Sequence, residues 1–201
     1  MVSSNMTLAE KVKAVESVFE DLDRDIATFQ GNTGIGCIRG CGACCTKPDI
    51  EATILEFLPL AYQLHLQGRE NEIFDRLASE QDSTICLFFA TKIPGHGAGM
   101  CTIYEHRGLI CRLFGFSATT DKYGKPVLAT CKYIKGHENG MYQHAVDAID
   151  KGAFVPVMNN YYMRLLAIDM SLGNQFYPIN KAIQLAIEKV GMYFAYESPA
   201  S

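Results

Sequence analysis

Cys37-Ile38-Arg39-Gly40-Cys41-Gly42-Ala43-Cys44-Cys45 sets four cysteines within nine positions, with two glycines between them. Glycine opens backbone conformations closed to other residues, so such a loop can curl round an ion and turn its amide N–H groups toward sulfur. Bunched thiolates repel one another until a cation offsets their charge, and soft sulfur suits zinc and iron–sulfur clusters. Cysteines scattered through a core as small hydrophobes do not account for this density. Side chains of adjacent residues point different ways, so Cys44 and Cys45 can serve two metals, or one of them can pack or react.

Four later cysteines, Cys86, Cys101, Cys111 and Cys131, bring the total to eight. Eight thiols fit two four-thiolate sites, or one cluster with thiols left over. Basic residues stand near each group: Arg39 and Lys47 by the first set, Arg107 and Arg112 by Cys111, and Lys132 beside Cys131. Cations of this kind lower thiol pKa and balance an anionic cluster. Arg112 stands out because it lies within the apolar run Leu109 to Phe116.

With 48% hydrophobic residues in 201, the chain can bury a full core. Its formal charge of −4 leaves no basic excess for a phosphate backbone, so nucleic acid is not an expected partner. Met1 to Lys13 lacks the pattern of a secretory signal, and no apolar stretch reaches the ~18 residues of a membrane span. A cytoplasmic setting is expected, where thiols stay reduced. Eight cysteines are also only about 4% of the chain, below the roughly 8–10% of secreted disulfide scaffolds. Metal ligation is therefore preferred to disulfide bonding.

Before the cluster, Leu8, Val12, Val15, Val18, Phe19, Leu22, Ile26 and Phe29 recur at helical spacing behind the capping box Thr7-x-x-Glu10. The helix is expected to end in the glycine-bearing stretch Gly31 to Gly36. Beyond the cluster, Asp49 to Leu66 reads as helical with Pro59 at a kink or new first turn, and Arg69 to Glu80 as a short helix. Between Ile85 and Ile134 short apolar runs alternate with turn signals at 94–99 and 121–124, which predicts irregular loops and a small hairpin. Helical periodicity returns in Met141–Lys151, Val155–Leu172 and Pro178–Tyr196. The series Met158, Met163 and Met170 reads as core. The expected fold is mainly α with minor β: a cysteine-cluster domain with its N-terminal helix at 1–136, whose centre is small and irregular, and a helical C-terminal extension at 137–201 packed on it.

The cysteine pattern resembles that of the YkgJ type of cysteine-cluster proteins, described as zinc- or iron-chelating domains. Cys37-x-x-x-Cys41-x-x-Cys44-Cys45 matches their dense run. Their second pattern is similar to Cys101-Thr102-Ile103-Tyr104-Glu105-His106-Arg107 followed by Cys111-Arg112-Leu113-Phe114. Cys86 and Cys131 take the remaining places, and the match runs from Cys37 to Lys132. One departure is Gly108, where the family usually has proline. The resemblance implies metal chelation by the eight cysteines, and one branch resembles a flagellin lysine methylase.

Three functions follow as expectations. The first is a metal-binding protein holding zinc or iron, with a [4Fe-4S] cluster among the options, for metal handling or electron transfer. The second is a metal-dependent enzyme, such as a methyl-transferring one, since Cys37-x-x-x-Cys41-x-x-Cys44 is also the spacing of radical S-adenosylmethionine enzymes. The repeated strand–helix units of that class are not seen here. The third is an interaction module shaped by structural zinc. His65, His96, His106, His137 and His144 show no metalloprotease spacing and are read as surface or core residues. Glu105 is read as the ion-pair partner of Arg107 or Arg112.

Overall fold

The computed structural model describes residues 6–37, 40–80, 83–91, 99–136 and 140–197. The turn at 94–99 falls almost wholly outside them, as do Ile38, Arg39, His96 and His137. Helix α1 (Leu8–Thr33) buries the eight apolar residues that its spacing singles out. Both arms of the capping box are made: Thr7 Oγ1 accepts from the Glu10 N–H at 3.3 Å, and the Thr7 N–H donates to Glu10 Oε2 at 2.8 Å. The helix runs on through Gly31 and ends at Thr33, within the glycine-bearing stretch where its end is expected. What stops it is Gly34, left-handed at φ 70°, whose N–H donates to the Gln30 carbonyl at 2.8 Å.

Strand β1 (Glu51–Thr53), a 3₁₀ turn (Leu55–Phe57) and helix α2 (Leu58–Leu66) replace the long helix expected from Asp49. Pro59 sits in the first turn of α2, where its missing N–H costs nothing. Helix α3 (Glu70–Ser79) leads to a hairpin of β2 (Phe89–Thr91) and β3 (Gly99–Cys101), in which Phe89 faces Cys101. A 3₁₀ turn (Tyr104–His106) and helix α4 (Leu109–Leu113) precede a second hairpin, β4 (Ser117–Thr120) with β5 (Pro126–Ala129). Its turn is held by Asp121, whose carboxylate accepts from the N–H groups of Tyr123 and Lys125 at 2.8 and 2.9 Å.

Helices α5 (Lys132–Lys135), α6 (Met141–Asp150), α7 (Met158–Ile168) and α8 (Met170–Gly173) follow, then β6 (Phe176–Pro178) and α9 (Ile179–Glu197). Asp169 divides α7 from α8 by capping the second helix through the N–H groups of Ser171 and Leu172. Met163 and Met170 are exposed, contrary to the core reading of the methionine series, while Tyr161 and Leu165 are buried. Helix and minor β therefore make up a mainly α fold, and none of the described helices is long and apolar enough to cross a membrane.

The strand pair β1–β6 joins Glu51–Thr53 antiparallel to Phe176–Pro178, with Ala52 opposite Tyr177. The larger core joins α1, α2 and α4 to Tyr161, Leu165 and the inner face of α9. A smaller one gathers Phe29, Ile35, Ala118, Leu128, Ile134, Ala145, Ile149 and Val155. Phe116 packs against both. Polar pairs lace α1 to the later helices: Lys11 to Asp169 at 2.7 Å, Arg164 to Asp21, and the Tyr161 hydroxyl to Asp25.

Candidate metal centre

Cys37, Cys41, Cys44 and Cys45 meet Cys86, Cys101 and Cys111 on the wall of one cavity of about 460 Å³. Four separate stretches of chain deliver them. In the first loop, Gly40 and Gly42 adopt left-handed conformations at φ 73° and 58°. At Gly42 a Cβ would overlap the Phe89 ring and lie 3.1 Å from the Gly99 backbone, so glycine is what lets the loop close on the β2–β3 hairpin. Backbone hydrogen bonds fasten that contact: the Gly99 N–H donates to the Gly40 carbonyl at 3.1 Å, and the Cys86 N–H to the Cys45 carbonyl at 3.0 Å.

Cys86 is held from the far end of the chain. Asn180, in the first turn of α9, accepts from the Leu87 N–H at 2.9 Å and donates to the Ile85 carbonyl at 2.8 Å, bracketing the cysteine on both sides. Arg76 adds a bond to the Leu87 carbonyl at 2.5 Å. Cys101 closes the hairpin opposite Phe89.

Cys111 rides on α4, and a buried carboxylate sets the start of that helix. Glu56, 1% exposed, accepts from the Ile110 N–H at 2.8 Å, from the Thr53 N–H at 2.8 Å and from Thr53 Oγ1 at 3.2 Å. It caps α4 from 54 positions away. Gly108 stands against the same group: a Cβ there would come 2.9 Å from Phe57 Cζ and 3.3 Å from Glu56 Oε2. Its φ of −63° is one that proline also adopts, so packing and not backbone conformation favours glycine here.

Cys131 lies apart from the cavity. It precedes α5 and, like Phe116 and Tyr142, packs against the smaller core. The structure thus brings seven of the predicted cysteines to one wall and leaves the eighth elsewhere.

A family model described as "Putative zinc- or iron-chelating domain" matches residues 36–132. Over that span the chain is similar to the CxxCxxCC family. Neither the comparison with curated proteins nor the one with solved structures found a match. All eight cysteines fall within the matched span.

Electrostatics around the cavity follow from thiols facing thiols. The Cys45 thiol, which faces both, lowers Cys44 to about 6 and Cys101 to about 7, with Arg107 adding a smaller pull on each. Cys45 itself is pushed up, first by its bond to Cys101 and then by its bond to Cys44. Burial raises Cys86 to about 11 and drives Cys111 upward as well. Among the described residues, no three His, Cys, Asp or Glu side chains already stand as a set able to hold a metal ion. The sulfurs share protons with one another, and deprotonation accompanies metal binding at such thiols. The chemistry of the donors fits zinc or iron.

The basic residues divide differently from their order in sequence. Arg107 and Lys47 line the cavity, Lys47 with its Nζ 5.9 Å from the Phe114 ring centroid. Arg112 turns away from the thiols: it pairs with Asp23 on α1, donates to the Arg107 and Glu105 carbonyls at 3.1 and 2.5 Å, and covers the Phe19 ring at 4.7 Å. Glu105 therefore meets Arg112 through its backbone and not as the expected ion pair. His65 stacks on Phe194 beside Glu70, and His144 bonds to the Thr33 carbonyl at 3.2 Å. Glu56 and Asn180 are the positioning residues that sequence reasoning missed. Glu56 carried one cue, a carboxylate within the apolar run Ile54 to Leu60; Asn180 carried none.

Proposed function

We propose that the chain binds zinc or iron through the cysteines of its CxxCxxCC-like span, as a cytoplasmic protein of metal handling or electron transfer. The observation that carries this reading is the convergence of Cys37, Cys41, Cys44, Cys45, Cys86, Cys101 and Cys111 on one cavity. Seven thiols exceed the four of one tetrahedral zinc or one four-iron cluster, so a single centre leaves sulfurs over for a second ion or an exchangeable ligand. Cys131, the eighth of the expected ligands, lies outside that cavity and has the smallest share in the proposed binding. Residues 137–201, proposed as an extension on the 1–136 unit, contribute Ile179 to the wall and Asn180 to the Cys86 segment.

The volume beside the thiols favours a second reading, a metal-dependent enzyme with an open coordination position, since a closed structural site has no need of such space. Anaerobic purification followed by elemental analysis and an absorption spectrum tests both. Stoichiometric iron with visible charge-transfer bands is the outcome expected of an iron–sulfur protein, and stoichiometric zinc without colour that of a zinc protein. A chain that retains neither metal contradicts the proposal.

A further inference from the structure

Arg107 makes a demand on the cavity that a metal ion cannot meet. Its guanidinium carbon lies 3.6 Å from the Tyr104 ring centroid, and the residue lines both the cysteine cavity and a shallower groove bordered by Glu16, Glu20 and Asp23. Its Nε is buried without a hydrogen-bond partner, and among the described residues no carboxylate comes within ion-pair distance of it. A buried, unpaired guanidinium N–H is costly, and the group that best satisfies the guanidinium fork is a carboxylate or a similar oxyanion.

The space fits a ligand larger than an ion. About 460 Å³ lies within the roughly 300–1,000 Å³ range of small-molecule sites. Zinc held by thiolates at ~2.3 Å would use little of that volume. Away from the cysteines the wall is largely apolar, with Phe57, Phe88, Phe114 and Ile110 prominent in it. Apolar walls with a few convergent polar groups are the usual make-up of a site for an amphipathic organic molecule.

We propose that the cavity of the metal centre also binds a small organic carboxylate, its oxygens on Arg107 and its apolar body against Phe57, Phe88 and Phe114. The location rests on reading the cavity as the metal centre; the carboxylate chemistry rests on Arg107. Isothermal titration of the full-length, anaerobically purified chain with phenylacetate tests it, with phenylacetamide as the neutral isostere and acetate as the carboxylate without a body. Phenylacetate is expected to bind saturably and at least tenfold more tightly than either comparator. Arg107→Gln should weaken phenylacetate at least tenfold when samples of matched metal content are compared, and Arg107→Lys should restore part of the loss. Equal binding of phenylacetate and phenylacetamide by the parent protein would overturn the proposal without recourse to a variant. So would an Arg107→Gln protein that keeps its carboxylate affinity. Elemental analysis of the same samples reports separately on the metal, so failure of the metal reading and failure of the carboxylate reading are distinguishable.

Discussion

The loop from Cys37 to Cys45 and the segment from Gly108 to Leu113 both deliver thiols to the cavity, by opposite means. The loop gets its shape from two left-handed glycines within it, and its hairpin contact survives because Gly42 has no side chain. Helix α4 is only five residues long and cannot hold itself. It depends on Glu56 at one end and on Arg112, anchored to Asp23, along its side. One thiol set is placed by local backbone chemistry, the other by buried polar groups brought from distant elements. The two should therefore fail differently when perturbed.

Glu56 is expected to give the largest effect. Burial raises its carboxyl from 4.5 to about 7, against the pull of the hydrogen bonds from Thr53 and Ile110. A carboxyl raised on folding stabilises the native state fully below its unfolded pKa and loses that contribution as pH climbs through its folded pKa. Wild-type stability should thus fall between about pH 4.5 and 7 by up to roughly 3 kcal/mol on account of this group. Glu56→Gln should remove that slope, as read from urea midpoints across the window. It should also lower stability at pH 5 by about 1–3 kcal/mol, because an amide nitrogen then faces an N–H donor. A pH slope identical in the two proteins would show that Glu56 is not the buried acid that sets α4.

The comparison also explains what could be read in advance. Helix α1 was legible because its period and capping box are contained in its own residues, and the first cysteine loop because its glycines and thiols are adjacent. Strand β1 was not legible: Glu51–Thr53 is extended because it pairs with Phe176–Pro178, and nothing in either triplet names the other. The capping of α4 by Glu56 and the bracketing of Cys86 by Asn180 are hidden for the same reason, since both join residues far apart in sequence. Arg112 was singled out correctly as unusual, but its partner is a helix and not a thiol. A buried charge inside an apolar run shows that a partner exists, without saying which.

Gly42→Ala probes the local side of the contrast. Its Cβ would press on the Phe89 ring and the Gly99 backbone at a φ that L-residues resist, and the expected cost is about 2 kcal/mol. Because the strain falls on the loop and hairpin, metal content should drop together with thermal stability. Gly34→Ala, with the same left-handed strain but open space around the Cβ, is the control and should leave metal content unchanged. Asn180→Ala should cost less, about 1–2 kcal/mol for the uncapped Leu87 N–H and Ile85 carbonyl. Its signature should be faster reaction of Cys86 with a thiol reagent under native conditions, since Cys86 is otherwise buried.

The smallest effect is expected at Cys131. It stands among the apolar side chains of the smaller core, while Cys101 is hydrogen-bonded to Cys45 inside the cavity. Cys101→Ser should therefore remove a large share of the bound metal, and Cys131→Ser should remove little while costing about 1 kcal/mol for a hydroxyl placed in an apolar site. Equal metal loss in the two variants would mean that the smaller core opens to bring Cys131 to the others on loading. The seven-and-one division would then not hold in the metal-loaded protein, where the β4–β5 hairpin and α5 would lie closed onto the cavity. A preserved difference would instead fix Cys131 as a packing residue despite its place within the matched family span.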